Sequence, residues 1–171
     1  YYYYCSECYT LDTYWNLVAK ENGTYKLPLK HNKGYNKYGE ACNGRLVPSR
    51  FVIACENGHL EDFPYDWWVH RGMQCAKREP GQHHQLKIMF KDDTSGLDGI
   101  VIQCLDCGKT RSMQGCMNKD ALKGYKCFGY MPWISKHDEN GDLLSPKNKN
   151  NRYRDSKDCQ AQLRTLQRTA N

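Results

Sequence analysis

The sequence has ten cysteines, at positions 5, 8, 42, 55, 75, 104, 107, 116, 127 and 159. Two pairs, Cys5/Cys8 and Cys104/Cys107, have the C-x-x-C spacing that turns both sulfurs of a tight knuckle toward one tetrahedral ion. The fullest constellation joins Cys55-Glu56-Asn57-Gly58-His59 to Cys104-Leu105-Asp106-Cys107-Gly108. Each segment follows an apolar β-type run, Phe51 to Ala54 and Ile100 to Ile102, and each carries a glycine free to take the positive φ of a knuckle. This is the pattern of two zinc-ribbon halves. Cys55, His59, Cys104 and Cys107 would form a closed Cys₃His shell around Zn²⁺, structural because no position is left for water or substrate. Glu61 and Asp62 could hold the other ring nitrogen of His59. The competing reading of His59 is a hydrogen-bonded buried imidazole.

A second group contains Cys5, Cys8 and Cys42, with His31 the nearby histidine able to complete four ligands. Cys75, Cys116, Cys127 and Cys159 are scattered, and a third site and ordinary buried thiols are equally open to them. Five disulfides would also use ten cysteines, but that chemistry belongs to exported proteins and no export signal is visible. Thioredoxin-like redox chemistry needs a C-x-x-C opening a helix, whereas Gly108 followed by Lys109-Thr110-Arg111-Ser112 reads as a turn and a strand. Gly108-Lys109-Thr110 imitates the end of a phosphate-binding loop, yet Gln103 stands where that motif needs glycine. Asp62, Asp66, Asp92, Asp93 and the pair His83-His84 are the residues a metal-dependent nuclease would draw on, but such carboxylates more often act as caps and as partners of ligands.

Two basic stretches suit an acidic partner. Lys26, Lys30 and Lys33 alternate with Tyr25, Tyr35 and Tyr38, combining cations for phosphates with rings for bases, as single-stranded nucleic-acid binding requires. Lys147, Lys149, Arg152 and Arg154 crowd a later polar segment. The competing reading of both is a solvated basic loop. The formal charge of +6 fits nucleic acid without requiring it.

The elements available to position these groups are slight. Ile, Leu, Val and Phe supply 28 of 171 residues, below the roughly 20% at which chains tend to disorder. Thirteen Tyr, four Trp and the cysteines must compensate, so the expected fold is a small zinc-stapled α+β domain with ribbon-like knuckles, short antiparallel strands and a few short helices. Residues 86 to 90 and 100 to 103 read as strands, expected to form one small sheet with residues 51 to 54. Residues 62 to 71 read as a helix capped by Asp62, with Pro64 in its first turn and Gly72 as its stop. Cys159, Leu163, Leu166 and Ala170 have helical spacing. The expected organisation is an N-terminal knuckle and basic loop over 1–48 and a ribbon-like core over 49–171, packed as one unit. No membrane span or signal peptide is visible, which makes the cytoplasm the default, and a chain beginning at Tyr1 rather than Met reads as a segment of a longer one.

Several strings, taken in order, resemble the DrmB component of DISARM-type bacterial anti-phage defence systems. They are Arg50-Phe51-Val52, Ala54-Cys55, Gly58-His59-Leu60, Asp62-Phe63-Pro64, Trp67, Cys104-x-x-Cys107-Gly108, Cys127-x-Gly129-x-x-Pro132-Trp133, Leu163-Arg164 and Arg168-Thr169-Ala170-Asn171. The resemblance implies a non-enzymatic subunit of a DNA-binding complex, associated with a helicase resembling DrmA. Two other functions compete with an accessory module that touches DNA. One is a docking scaffold that meets the helicase through Trp67 and Trp133; the other is the nuclease.

Overall fold

Aromatic and β-branched runs favour a pleated, half-buried surface, and the short strands of this chain are built from them. The computed structural model describes residues 2–20, 28–35, 38–80, 82–94, 96–131 and 159–168. Its elements are β1 (Tyr2–Cys5), β2 (Thr10–Thr13), α1 (Tyr14–Leu17), β3 (Leu46–Pro48), β4 (Phe51–Cys55), β5 (Leu60–Asp62), α2 (Tyr65–His70), β6 (Leu86–Phe90), β7 (Ile100–Cys104), β8 (Thr110–Ser112) and β9 (Leu163–Gln167). All the strand pairs are antiparallel and the helices are short, an α+β architecture. No helix among the described residues is long and apolar enough to cross a membrane.

The chain forms two units, Tyr1–Ser49 with Pro64–Gly115, and Arg50–Phe63 with Cys116–Asn171. This differs from a division at residue 48. The reason is pairing: Thr10 and Leu11 of β2 lie opposite Lys87 and Leu86 of β6, which ties residues 64 to 115 to the N-terminal segment.

The first unit holds a six-stranded sheet in the order β3-β1-β2-β6-β7-β8. Its core includes Leu11, Leu86, Ile88, Val101, Ile102 and Met113, all buried. Strand β6 alternates as the sequence predicts, with Leu86 and Ile88 inward and Lys87 and Met89 half-buried. Helix α2 is shorter than expected. Asp62 ends β5 instead of capping, Pro64 occupies the N-cap, and the helix stops where Arg71 and Gly72 both take positive φ, 57° and 76°. Trp68 is the anchor of α2: its Nε1–H donates to the Ser112 carbonyl at 3.0 Å, and the Arg111 guanidinium lies 3.3 Å over its ring. Trp67 stays half-buried, packed where a side chain at Gly72 would meet it.

The second unit holds a three-stranded sheet in the order β5-β4-β9. Two expectations are corrected here. Residues 51 to 54 do not join the strands at 86 to 90 and 100 to 103, because β5 and β9 occupy both edges of β4. The segment expected as a terminal helix is a strand over Leu163–Gln167, paired with β4 from Cys55↔Leu163 to Phe51↔Gln167. Leu163 and Thr165 are buried while Leu166 is exposed, so the period of two wins over helical spacing once an unpaired edge of β4 is available.

Replacing Trp68 with Ala removes the largest fully buried side chain among the described residues together with its hydrogen bond, and is expected to cost ~3–5 kcal/mol. Trp67→Ala should cost clearly less. Urea denaturation of the two variants checks the order, and equal losses would contradict the assignment of Trp68 as the anchor.

Candidate metal centres

Three strand ends in this chain close in the same way. After β1 the Tyr9 N–H returns to the Cys5 carbonyl (3.0 Å), after β4 Gly58 returns to Cys55 (3.0 Å), and after β7 Gly108 returns to Cys104 (2.9 Å). The returning residue has positive φ each time: 59° at Tyr9, 81° at Gly58 and 76° at Gly108. Each turn points the first sulfur and its knuckle partner, Cys8, His59 or Cys107, to one side, and three Cys/His clusters form around them.

The first cluster is Cys5, Cys8, His31 and Cys42, the group inferred from the sequence, with His31 as its fourth member. Cys5 Sγ lies 3.5 Å from Cys42 Sγ, and Cys8 Sγ lies 3.2 Å from His31 Nδ1. The segment carrying His31 and Cys42 folds back on itself through the bridges Lys30↔Arg45 and Tyr35↔Ala41. Two glycines allow the close approach. A Cβ at Gly34 would sit 2.6 Å from His31 Cε1, and one at Gly44 would collide with Cys5 Sγ.

The second cluster, Cys55, His59, Cys127 and Cys159, is fully buried. Cys55 and Cys127 lie 3.3 and 3.4 Å from His59 Nδ1, with Cys55 3.8 Å from Cys127 and 4.0 Å from Cys159. The Asn57 side-chain amide donates to Cys159 Sγ at 3.3 Å. Cys127 is held beside the knuckle by the Leu60 N–H donating to the Tyr130 carbonyl, and Glu61 accepts the Phe128 N–H.

The third cluster gathers His70, Cys75, His84 and Cys104, and Cys107 Sγ lies 3.3 Å from His70 Nε2. The single ribbon expected from Cys55, His59, Cys104 and Cys107 is therefore corrected. The two knuckles close separate strands, β4 and β7, and each draws its remaining partners from elsewhere in the chain. The sequence left Cys75 open between a third site and a buried thiol, placed His84 in the nuclease set, and did not point to His70. The available signal was that Cys104 and Cys107 need two further donors, and His70 ends α2 with Cys75 a few residues after it. Cys116 is buried and belongs to none of these clusters among the described residues.

The donor sets fit a metal ion. A tetrahedron with Zn–S of about 2.3 Å and Zn–N of about 2.0–2.1 Å has edges of roughly 3.5–3.8 Å, close to the separations found in the first two clusters. The thiols show the same electrostatic logic. Burial pushes Cys42 up to about 12, while in Cys8 burial is outweighed by hydrogen bonds to His31 and Thr10 that bring it down to about 6. Burial raises Cys104 to about 12; Cys107 falls to about 7 because the Lys109 N–H and His70 overcome its burial. Burial raises Cys127 to about 12, and the Ala161 N–H, helped by Asn57 and His59, lowers Cys159 to about 7. In each cluster one thiol ionises readily, and a second thiolate beside it is opposed until a cation is present.

The remaining candidates are dispersed. Lys30 and Lys33 are exposed, but the Lys33 ammonium donates to the Trp15 carbonyl at 2.6 Å. Tyr35 and Tyr38 are 75% and 74% exposed. Lys26, Lys147, Lys149, Arg152, Arg154 and Trp133 lie outside the described residues. The imagined nuclease set is split, with His83 paired to Asp12 (2.5 Å) and His84 beside Asp66 (3.4 Å), while Asp62 belongs to the other unit.

Two outcomes test the clusters. Ligation requires thiolates, so loading apo protein near pH 7 must displace protons from Cys42, Cys104 and Cys127, and acidification must reverse it. Affinity should fall about tenfold per pH unit for each proton released, read by calorimetry in buffers of different ionisation enthalpy. PH-independent binding would contradict this. Gly44→Ala should drive a methyl into Cys5 Sγ and lower bound metal by one equivalent, measured by elemental analysis; full retention would exclude the first cluster as a site.

The chain is similar to the DISARM protein DrmB of Bacillus paralicheniformis, at 34% identity over 91 residues, which bears out the resemblance carried by the sequence strings. The match covers 53% of this chain and about 15% of the length of that relative. A family model described as "Domain of unknown function (DUF8724)" matches residues 1–171, and the chain belongs to that family.

Proposed function

We propose that this chain is a zinc-stapled, non-catalytic module of a DISARM-type anti-phage defence assembly, which contacts DNA together with a helicase partner. The defence role rests on the similarity to DrmB. Zinc rests on the donors: Cys₃His is the closed shell of a structural ion, and the ion would supply charge neutralisation for clustered thiolates and no open coordination position. The observation that carries the nucleic-acid reading is the exposure of Tyr35 and Tyr38, on the segment between two members of the first cluster, His31 and Cys42, and of Lys30 directly before it. Exposed rings stack on bases, and lysine neutralises phosphate. Lys33, tied to the Trp15 carbonyl, serves first to hold this segment.

Binding of a fluorescent single-stranded oligonucleotide tests the reading. Affinity should fall roughly 10- to 50-fold between about 50 and 200 mM salt, as expected for three or four neutralised phosphates. Tyr35→Ala and Lys30→Glu should each weaken it further with metal content unchanged. Absent or salt-independent binding would remove DNA from the proposal and leave docking to the helicase as the function of the module.

A further inference from the structure

The third cluster offers five donors where a tetrahedral ion needs four. His70 is 1% exposed, and its Nδ1–H donates to the Asp66 carbonyl at 2.8 Å with the Asp66 carboxylate 2.9 Å away. That partner leaves Nε2 as the lone pair, and Nε2 faces Cys107 Sγ at 3.3 Å, near the edge length of a thiolate–imidazole pair on one ion. Cys104 and Cys75 are the thiols that neighbour Cys107. His84 is placed differently. Its Nε2 lies 3.4 Å from the other Asp66 oxygen, and its Nδ1 is buried without a hydrogen-bond partner, 3.9 Å from Asp106. Asp66 thus stands between two imidazoles whose ring centroids are 5.3 Å apart.

We infer that His70, Cys75, Cys104 and Cys107 form a third metal site, for a borderline-soft divalent cation such as zinc, with Asp66 positioning the His70 ring and His84 held outside the ligand shell. The inference stands independently of the defence reading. This choice of four gives the Cys104-x-x-Cys107 knuckle the same task as the other two, and makes all three centres Cys₃His. The Asp66 carbonyl that accepts the Nδ1–H, with the carboxylate beside it, fixes the orientation of the His70 ring, as outer partners of metal-bound histidines do. Arg78 donates to Asp106 at 2.6 Å and the Gln85 N–H donates to it at 3.1 Å, which fixes the interior of the knuckle without using a ligand atom.

The test is titration of the reduced, metal-free 171-residue chain with Zn²⁺ against a chromophoric chelator, and with Co²⁺ for the thiolate charge-transfer absorption. The chain should take up three equivalents and Cys75→Ser two. His84→Ala should still take up three with unchanged affinities. Asp66→Asn should keep three equivalents with one weakened about 10- to 100-fold; its side chain is 44% exposed and contributes no ligand atom, so the result does not depend on a variant that loses a donor folding. Saturation of the unmodified chain at two equivalents would overturn the site. Loss of one equivalent in His84→Ala with all three kept in Cys107→Ser would overturn the ligand set in favour of two histidines and two thiolates. Unchanged affinities in Asp66→Asn would remove the carboxylate from the positioning of His70 and leave that role to the Asp66 carbonyl, which the variant keeps.

Discussion

Thiols packed within 4 Å of one another repel once two of them ionise, and the clusters in this chain bring such groups together in its buried interior. A divalent cation would turn that repulsion into cross-links between segments 37 and 104 residues apart. The short strands, the four-residue α1 and the six-residue α2 are too small to be stable by themselves. If the clusters bind a metal as proposed, the geometry of these elements would depend on the groups at their ends, and folding and ligation would be one equilibrium.

The knuckle is the device that makes this possible. A strand delivers its last residue as a ligand, the chain turns back within four residues, and a residue of positive φ releases it into the next segment. Glycine takes that conformation freely at 58 and 108, whereas Tyr9 takes it at a steric cost. The cost is borne where Tyr9 can use its ring, which lies 6.2 Å from that of Phe90, itself 5.4 Å from Tyr4. The glycines at 34 and 44 have a different task, making room for a ligand instead of turning the chain.

Local information was legible in the sequence and long-range pairing was not. The C-x-x-C spacings, the β6 and β7 strands and the turn at Gly108 are encoded within a few residues, and they are found where the sequence places them. His31 joins Cys5, Cys8 and Cys42 because few histidines were available to choose from. Which knuckle meets which distant cysteine depends on strand order, and nothing near Cys55 or Cys104 specifies it. The segment at 163–167 failed for a related reason: Leu163 and Leu166 satisfy a helical period, but the free edge of β4, more than a hundred residues earlier, decides the conformation. His70 was hidden in a segment whose aromatic residues drew attention to packing, although it combines burial with a hydrogen-bonded Nδ1.

The chain crosses between its two units after Ser49, after Phe63 and after Gly115, and this itinerary imposes an order of assembly during synthesis. As the polypeptide leaves the ribosome, the first cluster has all its members by residue 42 and the third by residue 107, but the second waits for Cys159. Throughout that interval β4 has β5 on one side and an open backbone ladder on the other, until β9 is made. An unsatisfied β4 edge next to the thiols of Cys55 and Cys127 is open to strand exchange with another nascent copy and to stray oxidation alike. The last strand therefore acts as a clasp that ends both exposures at once.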